Sequence, residues 1–183
     1  MNPGDAIVDA CSLLNLLATR RETELLLALR VRLLAAPAVR SEAMYLNAPS
    51  SPTGEPAREP ADLSRLESSG LLRVMELGEA AVDAFVLAAA ELTDNDAACV
   101  ALAATHRLPL LTDDRKERRV CAKLFPHVEI ASTLSLVRQA TEALRLDRDA
   151  TRVVLQDLRL RGSFLPPRGD SSNAWFWDLC GRE

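Results

Sequence analysis

The chain has 183 residues, enough for one domain of ordinary size with a real core and a helical appendage. Hydrophobic residues make up 48% and charged residues 26%, a globular composition, while aromatics at 4% leave Leu, Ala and Val to build a helix-leaning interior. A formal charge of −4 argues against a protein that coats nucleic acid through a broad basic face, although a local basic site is compatible with it.

The opening MNPGDAIVDA has no basic stretch followed by an apolar one, so no signal peptide is expected. Charges interrupt every apolar run before it reaches the roughly 20 residues of a membrane span. Cys11, Cys99, Cys121 and Cys180 are isolated from one another, and three of them lie in apolar segments. This is the pattern of small buried thiols in a reducing cytosol, and a cytoplasmic protein is expected. With only His106 and His127 and no paired cysteines, a structural zinc site has almost no ligands to draw on.

In chain order, AIVDA at 6–10 predicts a strand ending in an acidic turn, and CSLLNLLAT continues with leucines at helical spacing. ETELLLALRVRLLAA, 22–36, predicts a second helix. PAVRSEAMYLN then resumes after Pro37 as an extended piece, or as a strand leading into another helix that Glu42 starts. Residues 47–62 contain four prolines with Ser and Gly, which predicts an exposed loop. LSRLESSG predicts a short helix ended by Gly70, and LLRVMEL, 71–77, alternates as a strand does. Two Ala-rich helices follow, GEAAVDAFVLAAAEL and NDAACVALAATHR, separated by a break at 93–95. LPLLT returns to strand. A helix over 115–124, a short strand at HVEIA and helices near 132–144 and 148–161 complete the pattern. Strands alternating with helices imply a mostly parallel sheet covered on both faces, because parallel neighbours need crossover connections. Trp175, Phe176 and Trp177 sit in a polar, Pro- and Gly-containing tail and are expected to dock on the domain or on a partner subunit.

The acids carry the chemistry. In open α/β sheets ligands bind outside the carboxyl ends of the strands, so acids that end different strands can converge. Asp9 ends the first strand, Asp113 and Asp114 end LPLLT, Asp96 opens a helix and Glu42 starts another. Each has a plainer reading: helix cap for Asp96, solvated helix residue for Glu42, turn residue for Asp9. If they meet, each pair of carboxylates about 4 Å apart repels by about 4 kcal/mol at an effective dielectric of 20, so the group needs protons or a cation. Mg²⁺ or Mn²⁺ suits oxygen ligands, and the chemistry implied is phosphoryl transfer with an activated water.

In order and spacing, IVDACSLLNLLAT, RSEAMYL, DNDAACVALA and LLTDDRKERRV resemble the PIN-domain nuclease family. The resemblance covers about residues 6 to 135. It implies a three-layer α/β/α sandwich with a central, mostly parallel sheet: a nuclease domain over 1–140, and a helical extension and tail over 141–183. It also implies a Mg²⁺- or Mn²⁺-dependent endoribonuclease acting on single-stranded or structured RNA. Carried over residue by residue, it makes Asp9, Glu42, Asp96 and Asp114 the metal-binding, catalytic acids, with Thr112 as a polar neighbour. Asp113 stands at the variable position, as helix cap or outer charge. An offset of one would exchange it with Asp114, and Asp94 is a similar alternative to Asp96. Where many relatives carry Ser or Thr two residues after the first acid, this chain has Cys11, with Ser12 and Asn15 following as polar groups around the site.

Arg115, Lys116, Arg118 and Arg119 form either a solvated helix face or holders of nucleic-acid phosphates. The family resemblance further implies a homodimer and either a VapC-type toxin restrained by a small antitoxin or a related nuclease branch, which the Pro-rich segment and long C-terminal part resemble more closely. The alternative is a catalytically idle PIN-like module that binds RNA or protein. A phospho-accepting switch is disfavoured, because Lys116 and Lys123 are the only lysines and neither follows a late strand.

Overall fold

A computed structural model describes residues 3–42, 45–48 and 57–181. β1 (Gly4–Val8) buries Ile7 and Val8 and runs into Asp9, the cap of α1 (Ala10–Ala18). The helix expected over 22–36 is instead two elements, α2 (Glu22–Leu29) and β2 (Val31–Ala35). Arg30 between them is left-handed, with φ 54°, which stops the helix. VRLLA then alternates, with Val31, Leu33 and Ala35 buried and Arg32 exposed. The leucines suit either period, and pairing decides: β2 lies parallel to β1 from Gly4↔Val31 to Ile7↔Leu34.

α3 (Pro37–Glu42) begins on proline, whose missing N–H is no loss at the first helical position, and Glu42 ends this helix rather than starting one. β3 (Tyr45–Ala48) and β4 (Ala57–Pro60) pair antiparallel, Tyr45↔Pro60 to Ala48↔Ala57. The flanks of the 47–62 segment are therefore strands, not loop. A two-stranded ribbon is all edge, so Pro60 breaks no ladder that the fold requires. The rest of that expected loop, 49–56, lies outside the described residues.

α4 (Ser64–Ser68) is followed by Gly70 at φ 71° and by β5 (Leu72–Val74). A 3₁₀ turn at Glu79–Ala81 leads into α5 (Val82–Ala89), then come α6 (Asp94–His106), β6 (Leu110–Leu111), α7 (Arg115–Leu124) and β7 (Ile130–Ala131). α8 (Thr133–Ala143), α9 (Arg148–Arg161) and α10 (Asn173–Cys180) close the chain's described part.

The five-stranded sheet is parallel throughout, in the order β5-β2-β1-β6-β7. One group of helices, α1, α2, α8 and α9, packs together, as does another, α5, α6 and α7. The architecture is a three-layer α/β/α sandwich. α10 packs on α9: Phe176 is fully buried edge-on to Phe164, and Arg138 and Arg159 lie over Trp175 and Trp177 at 5.6 and 5.4 Å. The tail aromatics thus dock on the domain itself. Of the cysteines, Cys99 and Cys121 are buried, Cys180 is half-buried and Cys11 is exposed. Among the described residues no helix is long and apolar enough to cross a membrane.

Replacing Arg30 by glycine should stabilise the fold. Relief of a left-handed L-residue is worth roughly 1–2 kcal/mol, against about 0.5–1 kcal/mol for the greater freedom of glycine in the unfolded chain. Denaturant titration should show a net gain of up to about 1.5 kcal/mol, and a loss would mean that the Arg30 side chain itself holds the helix end.

Candidate functional site

The register of β1 on β6, Ile7↔Leu110 and Val8↔Leu111, brings the residues that follow them side by side. These are Asp9 and Thr112, both buried. Asp9 Oδ1 accepts the amide of Ser12 at 2.6 Å and Oδ2 accepts the Thr112 hydroxyl at 2.7 Å. Burial pushes the Asp9 carboxyl above its ordinary range, and the bonds from Thr112 and Ser12 pull against that shift. Thr112 Oγ1 in turn accepts the Asp114 amide at 3.1 Å, and Asp114 Oδ1 accepts the Glu117 amide at 2.7 Å.

Asp114 is therefore the cap of α7, the role expected of Asp113. Successive residues of extended backbone point opposite ways, and Asp113 faces the other layer. Its Oδ2 accepts from Asn15 Nδ2 at 3.1 Å and its Oδ1 from the Thr133 amide at 3.0 Å, so it fastens α1 to the first turn of α8. Ser12 contributes its amide to Asp9, and its buried hydroxyl stands beside the same carboxylate without a hydrogen bond of good geometry.

Asp96 sits in the first turn of α6, where Thr93 is the cap: Thr93 Oγ1 accepts the Asp96 amide at 3.3 Å and donates to Asp96 Oδ2 at 2.8 Å. The helix begins at Asp94, inside the break expected at 93–95. Glu42 accepts from the Asn95 side chain, which brings the end of α3 to the start of α6. The thiols register the field of these acids. Burial, then the charges of Asp9, Asp96, Asp114 and Asp113, raises Cys11 to about 11, and Cys99 is raised by burial, then by Glu117, Asp9, Asp96 and Glu42. Asp9, Glu42, Asp96 and Asp114 thus share one region. Asp94, at the start of α6, is exposed.

Glu117 is the acid that the sequence reading missed. It is fully buried, and neither carboxylate oxygen makes a hydrogen bond of good geometry, although Thr112 and Asp9 lie within its reach. Burial, then the nearby charge of Asp9, raises its carboxyl from 4.5 to about 9. Within RKERR it reads as one member of a solvated charge run. The signal that identifies it is helical spacing: Glu117, Val120 and Cys121 form the buried stripe of α7.

The neighbouring cations divide. Arg118 Nη1 donates to the carbonyls of Thr112 and Ala131 at 2.9 and 3.2 Å, tying the ends of β6 and β7 together. Arg115, Arg118 and Arg168 line a cavity of about 470 Å³ with Asp113, Ser132 and Asp170. Lys116 and Arg119 are exposed on the flank facing Glu91, which pairs with Lys123 at 2.7 Å.

Among the described residues no three His, Cys, Asp or Glu side chains stand close enough to form a ready-made metal cluster. The donor set nevertheless suits a hard cation: it is all oxygen and partly buried, and the buried Glu117 oxygens make no hydrogen bond of good geometry. A parallel α/β/α sheet with acids beyond the carboxyl ends of β1 and β6 places them where ligands bind in open α/β sheets. The PIN-domain family profile matches residues 5–169, and the chain belongs to that family. PIN domains are generally nucleases and typically use divalent metals. Neither a curated protein nor a solved structure matches the chain significantly.

The raised Glu117 carboxyl sets a pH dependence. A group whose folded pKa exceeds its unfolded value stabilises the fold fully below the unfolded value and loses that contribution as pH rises through the folded one. In chelator, stability should therefore fall from about pH 4.5 towards about pH 9, the range over which Glu117 is protonated only when folded. Glu117→Gln has no proton to lose there, and denaturation midpoints across the range should flatten. An equal slope in both proteins would assign the effect elsewhere.

Proposed function

We propose that the protein is a divalent-metal-dependent ribonuclease in which Asp9, Glu42, Asp96 and Asp114 hold Mg²⁺ or Mn²⁺. The observation that carries this reading is the buried Asp9, locked between Thr112 and the start of α1 at the strand ends, with further acids around it and no cation paired to it among the described residues. A bound ion would supply positive charge against the negative charge that builds on a phosphodiester during cleavage, and would make water a better nucleophile near neutral pH.

The chain's own residues orient and bind. Thr112 and the Ser12 amide hold Asp9 in one position, and the Glu117 amide holds Asp114. Asp113 keeps its oxygens on Asn15 and Thr133, which favours Asp114 over Asp113 as the ligand. Arg115, Lys116 and Arg119 are the exposed cations of the run and suit RNA phosphates, which an acidic pocket alone would repel. Arg118 is already committed to two carbonyls. Exposed Val82, Val86 and Leu87 on α5 offer apolar surface for a homodimer.

The test is cleavage of a mixed single-stranded RNA pool by purified protein with Mn²⁺ and with chelator. Cleavage should require the metal, and Asp9→Asn or Asp114→Asn should lower it by at least a hundredfold. Asp113→Asn should lower it far less while destabilising the fold by about 1–3 kcal/mol, the cost of an unpaired buried group. Cleavage that survives both Asp9→Asn and Asp114→Asn would discard the reading, and the reverse order for Asp113 and Asp114 would exchange their roles.

A further inference from the structure

We propose that Glu117 is a fifth acid of this centre, a direct ligand to the divalent ion beside Asp9 and Asp96. The inference rests on the metal-dependent reading of the site. Glu117 occupies the third position of α7 after its cap Asp114. A glutamate there ordinarily reaches back to the amide of the capping residue, closing a capping box. In this chain that amide donates to Thr112 Oγ1 instead, at 3.1 Å. The usual partner of Glu117 is taken, and its side chain turns into the interior.

What it meets there is not a base. Neither oxygen makes a hydrogen bond of good geometry, and the two groups within its reach, the Thr112 hydroxyl and the Asp9 carboxyl, are already bonded to each other, whereas Asp9, comparably buried, receives two donors. The adjacent guanidinium of Arg118 points to the carbonyls of Thr112 and Ala131, and no basic side chain among the described residues pairs with Glu117. A purely structural buried acid would be expected to have donors around it, since unpaired polar groups are costly inside a protein. Glu117 instead faces Asp9, Thr112 and Asp96. A hard cation between these groups would satisfy both Glu117 oxygens and offset the repulsion among the acids in one step. The burial stripe that Glu117 shares with Val120 and Cys121 also fixes its direction, because α7 cannot turn it outward without exposing them.

The experiment is calorimetric titration of Mn²⁺ into the wild-type protein, Glu117→Gln, Glu117→Ala and Asp9→Asn, each shown to be folded by circular dichroism. Glutamine keeps the shape and removes the charge, and alanine gives a second reading should glutamine disturb folding. Glu117→Gln should weaken Mn²⁺ binding at least tenfold. At saturating Mn²⁺ its electron paramagnetic resonance spectrum should differ from wild type, because a ligand has been exchanged rather than an outer residue. Affinity unchanged in both Glu117 variants but lost in Asp9→Asn overturns the role of Glu117 alone. A weaker affinity with an unchanged spectrum also overturns it, making Glu117 a positioning residue for Asp9. Affinity unchanged in Asp9→Asn and Glu117→Gln together overturns the metal site itself.

Discussion

Asp9 is held at the carboxyl end of β1 by a hydroxyl from the neighbouring strand and an amide from its own helix, and the surrounding arrangement answers to that buried negative charge. Three helices start around it. Asp9 caps α1, Asp96 lies in the first turn of α6 and Asp114 caps α7, so each acid sits where unpaired amides and the positive end of the helix dipole favour negative charge. This is how the chain tolerates several carboxylates in one region. The sheet register decides the meeting point, because Val8↔Leu111 makes Asp9 and Thr112 neighbours.

Repulsion at one end of a sheet has to be resisted by ties elsewhere, and these run between layers. Asp113 links Asn15 to the start of α8, Arg118 links β6 to β7, and Ser132 at the start of α8 donates to Asp170 at 2.6 Å. Arg161 at the end of α9 donates to the last carbonyls of α1, 2.6 Å from that of Ala18, and also to Glu59 of β4. Gly162 lets this junction close: a Cβ there would lie 2.7 Å from the Leu158 carbonyl and 2.9 Å from Asn15 Oδ1. The same asparagine that steadies Asp113 therefore depends on a residue without a side chain far along the sequence.

Much of this was legible in the amino acids because single elements announce themselves by period and punctuation. α7 spans 115–124 as expected, Gly70 sits just past α4, and the parallel alternation gives the sandwich. The misses have physical causes. Leu33 and Leu34 satisfy a helical stripe as well as a strand, and only pairing with β1 shows which applies. Proline content hid the β3–β4 ribbon, since a sheet that is all edge is exempt from the usual exclusion. Adjacent Asp113 and Asp114 could be separated only by seeing which way each points. Glu117 was read by its charged neighbours when its apolar companions one turn on were the better guide.

The bond between Thr112 and Asp9 spans 103 residues of sequence, and that separation has a consequence for how the molecule comes into being. β1 is made before its partner β6 and the cap of α7, which follow only after α6. Contacts this distant along the chain form late and slowly, because the intervening segment must first be ordered. An unfinished polypeptide carries Asp9 without the strand that fixes it, and so has no assembled acid centre. Whatever depends on Asp9 and Thr112 meeting would wait for that pairing.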